Sequence, residues 1–229
     1  MNSTHLSQLS NLEPINERAV KVRDTIQGCE PSVLADIYRE DTNIVVWQRS
    51  LGETLVSDVD DFLASNPHFQ ASMTVTPQSA LYSINECLMD PAQGQLSENI
   101  TELVEMFCCL FELKRVGLRL STLDRAMCPK FHVDRVPCRL VTTFQGVATE
   151  WLPHQAVNRQ KLGLGSQGKT DSQSGLYKHS HDIQQLHSGD VALLKGELWE
   201  GNENAGLVHR SPALSEGQRR LLLTLDFSS

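Results

Sequence analysis

The sequence has no run of 18 consecutive apolar residues, so no membrane-crossing helix is expected. It has no excess of positive charge: 20 Lys and Arg stand against 28 Asp and Glu, a formal net charge of -8. Nucleic acid and anionic membranes need a basic face that displaces counterions, so neither is an expected partner. The polar start, Met1 to Asn16, lacks the basic and apolar regions of a secretion signal, which makes the cytoplasm the expected location. None of the six cysteines (Cys29, Cys87, Cys108, Cys109, Cys128 and Cys138) forms a C-x-x-C pair, and they read as reduced thiols. Only three tryptophans occur, Trp47, Trp151 and Trp199, and they read as core or pocket-wall residues.

What is there divides near Arg115. Residues 1–115 read as a mostly helical region: a short helix from Pro31 to Glu40, one from Gly52 to Leu63, and the clearest from Ser97 to Lys114. In the last, Ile100, Leu103, Val104, Phe107 and Leu110 recur at helical spacing. Asn43 to Gln48 is a strand inside this region, and residues 1–28 read as polar and partly loose. After Arg115 come short apolar runs punctuated by Gly and Pro: Val116–Leu120, Phe131–Val136, Arg139–Phe144, Val147–Leu152, Val191–Leu194, Leu207–Arg210 and Arg220–Phe227. That spacing predicts a β-sandwich or barrel over 116–229, with the helices buttressing it. The Gly-, Ser- and Gln-rich stretch 158–188 reads as a flexible insertion. Within it, Gly163 to Thr170 matches the phosphate-loop pattern, but no buried strand precedes it and no helix former follows, so it reads as a loop.

The chemistry-bearing residues gather in the second half. His132 and Asp134, two apart on a strand, point to one face and offer an imidazole and a carboxylate to one metal ion. His209, 75 residues beyond Asp134, supplies a third ligand. Two His and one carboxylate form the facial arrangement of non-haem Fe(II) sites. In the last strand Arg220, Leu222, Thr224 and Asp226 share one face, so Arg220 is a candidate carboxylate anchor and Thr224 an added hydroxyl donor. Arg219, on the opposite face, is its rival. His179 and His181 form a possible accessory metal group.

The ordered set of His132-x-Asp134, a Gly-Asp-apolar strand, a distal His209 and an Arg about ten residues on resembles the Fe(II)- and 2-oxoglutarate-dependent dioxygenases. The resemblance implies an α+β fold with a double-stranded β-helix (jelly-roll) core, iron on His132, Asp134 and His209, and 2-oxoglutarate on Arg220. It implies hydroxylation of a substrate, a small molecule or a protein, that the sequence does not identify. Three strings carry a second likeness, spanning nearly the whole chain: Gly146 to Pro153, Val191 to Glu197 and Gly206 to Pro212. They resemble a bacterial domain-of-unknown-function family, number 1826, whose members occur beside zinc-homeostasis genes. This implies an alternative: a non-enzymatic, cupin-like protein holding Zn on the same ligands. Homo-oligomerisation is open on either reading.

Overall fold

Period-two alternation governs the architecture, because most strands bury one face against helices and the other against a second sheet. The computed structural model describes residues 22–89 and 94–228. In chain order it contains β1 (Asp24–Gly28), a 3-10 helix (Pro31–Tyr38), β2 (Thr42–Trp47), α1 (Glu53–Ser65), β3 (Gln70–Val75), α2 (Pro77–Leu88) and α3 (Gly94–Leu110). Then follow β4 (Val116–Leu123), β5 (Cys138–Gln145), β6 (Glu150–Leu152), α4 (Asp171–Ser174), β7 (Gln184–Gln185), β8 (Val191–Lys195), β9 (Val208–Arg210) and β10 (Arg220–Phe227). The protein is thus a mixed α/β chain with a large sheet.

That sheet has seven strands in the order β1-β2-β8-β5-β10-β4-β3, all pairs antiparallel except β1 with β2. A small sheet runs β7-β6-β9, and a two-way backbone bridge between His132 and His209 extends it by one residue pair. From β4 onward the chain crosses repeatedly between the sheets.

On one face of the large sheet, Leu118, Leu120, Leu140, Leu193, Leu221, Leu223 and Leu225 pack against Val59, Phe62, Ile84, Ile100, Leu103 and Phe107 of α1, α2 and α3. On the other face, Ile44, Val46, Val141, Ala192, Leu194 and Leu222 meet Trp151 of the small sheet. Burial of each large aliphatic side chain contributes about 1.5–3 kcal/mol before the cost of ordering the chain.

Four expectations differ from what forms. The first half is not simply helical, since β1, β2 and β3 all join the large sheet. Of the stretch read as loose, residues 1–21 lie outside the described residues, while 24–28 form β1 against the buried β2. Phe131–Val136 is not a full strand; only His132 makes a bridge. The stretch read as a flexible insertion holds short 3-10 turns, α4 and β7, and Leu176 from it is buried with Phe131, Leu152 and Val208. Inside it, Gly163–Ser166 is a 3-10 turn and α4 has only four residues, so the phosphate-loop pattern lacks its strand and helix.

Two glycines mark where backbone must approach backbone. Gly146 has φ +92°, a region other residues avoid, and brings its turn onto Arg219 and Arg220. Gly196 follows β8; a side chain there would fall on the Val136 carbonyl oxygen and lie 2.8 Å from that of Asp134. Gly196→Ala is therefore expected to destabilise the chain by roughly 3 kcal/mol, read as a lowered midpoint in urea unfolding. An unchanged midpoint would show that the 134–136 segment yields freely.

Candidate metal centre

Three side chains that the sequence separates are brought together by the crossing between sheets. The two reciprocal hydrogen bonds of the bridge, His132 N to His209 O and His209 N to His132 O, both 3.0 Å, set the rings side by side with centroids 4.6 Å apart. Asp134 turns back toward them: its Oδ1 is 3.7 Å from His132 Nε2 and its Oδ2 is 3.4 Å from His209 Nε2. Among the described residues, one ligating atom from each of the three lies within 4.8 Å of the others.

Each ring is turned by its backbone. His132 Nδ1 is 3.0 Å from the Lys130 carbonyl and His209 Nδ1 is 3.3 Å from that of Leu207. A carbonyl only accepts, so Nδ1 carries the proton in each bond and Nε2 of the neutral ring presents a lone pair. Burial, then the neighbouring His209 charge, lowers the His132 pKa and favours that neutral form. Two lone pairs therefore face a carboxylate. Three electron-pair donors converging on one point suit a cation, and oriented imidazoles of this kind are how metal ligands are usually held.

Asp134 is fixed from behind by Arg139 at the start of β5. Arg139 Nη1 donates to Asp134 Oδ2 at 2.7 Å, while Nε and Nη2 donate to Asp226 Oδ1 and Oδ2 at 2.7 and 2.9 Å. Burial would raise the Asp134 pKa, but in acid, with a second proton on each imidazole, the hydrogen bond from His209 and the charges of His209, Arg139 and His132 outweigh it and hold it down to about 2. The carboxylate is thus ionised and aimed. His132 is supported too: the N–H of adjacent Phe131 donates to Asp171 Oδ2 at 2.9 Å, and Arg210, paired with Glu150 at 2.6 Å, lies over the Phe131 ring.

Beside the three lies a small cavity of about 70 Å³, open to solvent. His132 and His209 line it together with Arg119, Ser121, Val141, Leu222, Thr224 and Arg220. Arg220 is 1% exposed. Its Nη1 donates to the Val147 carbonyl at 3.2 Å and its Nη2 to Ser211 Oγ at 3.0 Å. Its Nε has no partner, and among the described residues no carboxylate lies within ion-pair reach. Burial lowers its pKa to about 10, which leaves it charged at neutral pH. The Thr224 hydroxyl, on the same wall, is also buried without a partner.

The strand face holding Arg220, Leu222 and Thr224 thus turns inward, which decides between Arg220 and Arg219 where the sequence did not. Arg219 does not reach the cavity: it is exposed and lines a different surface hollow beside Gln145 and Gly146, because consecutive strand residues face opposite ways. His179 and His181 stack on each other 4.9 Å apart at the surface, outside the converging group. Arg139, Arg119 and Ser211 were not singled out from sequence. Arg139 and Arg119 could have been, since they share the inward faces of β5 and β4 with Val141 and Ser121.

A family model described as a protein of unknown function, DUF1826, matches residues 28–226. The chain belongs to the DUF1826 family. No curated protein matches it. Among solved structures, this DUF1826 protein is similar to the dioxygenase for auxin oxidation 1 of Arabidopsis thaliana, in its 2-oxoglutarate complex, with TM-score 0.47 and 10% identity, covering 90% of this chain and 92% of that one. It is similar to a Pseudomonas putida prolyl-4-hydroxylase, with TM-score 0.46, 12% identity, and 86% and 96% covered. For iron-bound HygX from Streptomyces hygroscopicus the TM-score is 0.44, the identity 14%, and 83% and 84% are covered.

Arg139 is the residue whose loss disturbs most. Arg139→Gln leaves Asp134 and Asp226 without their shared cation, and removing one partner of a mostly buried ion pair costs roughly 3 kcal/mol. Urea unfolding of the metal-free chain measures this; a change below 1 kcal/mol would show that water replaces the guanidinium.

Proposed function

We propose that the protein is an Fe(II)- and 2-oxoglutarate-dependent oxygenase on a double-stranded β-helix. The observation that carries the reading is Arg220: a guanidinium 1% exposed, unpaired with any acid among the described residues, on the same small cavity as His132 and His209. A buried charge without a counter-ion is costly, so the arrangement calls for an anion. A guanidinium beside a His-Asp-His group is what binding a metal-chelating oxo-acid with a second carboxylate requires.

The strand order supports the architecture. In the large sheet β8, β5, β10 and β4 lie adjacent, and in the small sheet β7, β6, β9 and the His132 bridge do. Pairs from opposite ends of the second half thus interleave, as they do when a hairpin is wound into a jelly roll.

His132, Asp134 and His209 would hold the metal, and the donor set of two imidazoles and one ionised carboxylate fits iron(II). Bound there, the iron with its oxo-acid supplies the oxidising chemistry. The chain's own part is positioning. Arg220 would bind the far carboxylate of 2-oxoglutarate through the donors its Nε and its two terminal nitrogens leave unused, and the Thr224 hydroxyl would add a hydrogen bond on the same wall. Val141, Leu194 and Leu222 keep that wall apolar, which strengthens each charge interaction by excluding water. Arg139 keeps the carboxylate of Asp134 turned toward the imidazoles. Because the cavity is only about 70 Å³, a five-carbon acid extends toward its mouth and the substrate approaches from solvent. A zinc carrier on the same ligands has no use for an unpaired guanidinium there, and that separates the two expectations in favour of the oxygenase.

Anaerobic titration with Fe(II) and 2-oxoglutarate tests the reading. The native chain is expected to develop a visible charge-transfer band. His132→Ala is expected to lose it with the metal. Arg220→Met is expected to keep metal binding and weaken 2-oxoglutarate by roughly 10–100-fold, the worth of a charge-assisted hydrogen-bond pair. Metal binding with no response to 2-oxoglutarate would overturn the proposal.

A further inference from the structure

A second cationic cavity opens on the opposite face of the large sheet. In β8, Ala192 and Leu194 face the small sheet while Val191 and Leu193 face the helices, so Lys195 continues the helix-side row. It is 2% exposed. Its ammonium donates to the Arg39 carbonyl at 2.9 Å and lies 4.7 Å from the centre of the Trp199 ring. An ammonium has three N–H groups, so two are left over. Arg23, 8% exposed, lines the same cavity of about 350 Å³. Its Nε donates to Asn202 Oδ1 at 2.8 Å, its Nη1 to the Val22 carbonyl at 2.9 Å and its Nη2 to that of Gly201 at 3.1 Å, which leaves one N–H on each terminal nitrogen.

Neither cation has an acid within ion-pair reach among the described residues. The Cys138 thiol, paired with Lys195 across β5 and β8, is driven by burial toward its neutral form and cannot act as counter-ion. Glu40 and Glu200 line the cavity but are exposed. Two buried cations on one cavity repel, and burial together with the Arg23 charge pulls the Lys195 pKa down to about 8. Both cations still carry their charge at neutral pH, and an anion between them would relieve their repulsion and the cost of their burial.

We propose that this cavity is a binding site for a small oxyanion, a carboxylate or phosphate head group held between Lys195 and Arg23. Trp199 and Tyr38, whose rings lie 5.5 Å apart, form an aromatic wall for the rest of the ligand. The acids Glu40 and Glu200 favour a tail that carries no further negative charge. The site is independent of the metal centre, which lies on the other face of the sheet.

Thermal unfolding of the full chain with inorganic phosphate or acetate, at constant ionic strength, tests it. A ligand that binds only the folded chain raises the melting temperature in a concentration-dependent, saturable way. Saturable stabilisation by phosphate alone identifies a phosphoryl head group, and by acetate alone a carboxylate. It should persist in Arg220→Met, in which the other cavity loses its buried unpaired cation. In Lys195→Met the apparent affinity should fall at least tenfold, and in Lys195→Arg it should be largely kept. Should Lys195→Met fail to fold, Arg23→Gln is read by the same tenfold criterion. No saturable stabilisation by either anion, or an affinity unchanged in Lys195→Met or Arg23→Gln, would overturn the proposal.

Discussion

Arg139 holds two carboxylates that reach it from different directions, and the centre of the molecule is arranged around that contact. Asp226 pairs with it across β5 and β10, which are neighbours in the middle of the large sheet. Asp134 reaches it from the turn that joins the sheets. One guanidinium therefore locks the sheet's register near the strand ends and orients the acid facing His132 and His209. Its planar fork suits this double duty, where a lysine ammonium would be a single point of charge.

The two sheets divide the chemistry as they divide the core. Alternation along β5, β8 and β10 sends aliphatic side chains to the helices on one face and a mixed polar and apolar set to the interior on the other. Each face carries a buried cation that has no acidic partner among the described residues, Arg220 inward and Lys195 outward. An acidic protein, with net charge -8, has many carboxylates available for pairing. That none of the described carboxylates pairs with these two cations sets them apart from Arg139 and Arg210, which are held in fixed ion pairs.

How far this was legible in the sequence depends on whether the signal was local. The shared face of Arg220, Leu222 and Thr224 could be read because strand periodicity is two, but whether that face or the one carrying Arg219 turns inward is decided by packing between the sheets. Gathering His132, Asp134 and His209 rested on an ordered spacing, although the first two sit on a bridge and a turn rather than on a full strand. β3 was missed because Gln70 to Val75 carries no strong aliphatic run and lies at the sheet edge, where one flank is unpaired. α2 was missed because its cap pairs Thr76 with Ser79 rather than with the usual Glu or Gln. The role of Arg139 was hidden because its second partner, Asp226, is 87 residues away, and no local pattern announces such a contact.

The segment between β6 and β7 lies inside the loop that closes when His132 meets His209. Closing a loop costs entropy only as the logarithm of its length, about 0.6 kcal/mol for each doubling. The 3-10 turns and α4 together fall far short of doubling it, so they add only a fraction of that. By that term alone the exposed turns of the segment can be lengthened or shortened at almost no expense to assembly of the centre, while Asp171, which meets Phe131 and Arg210, and Leu176, buried beside Phe131, tie the rest of it to the core. Length in those turns is thus nearly decoupled from the closure that gathers the three ligands.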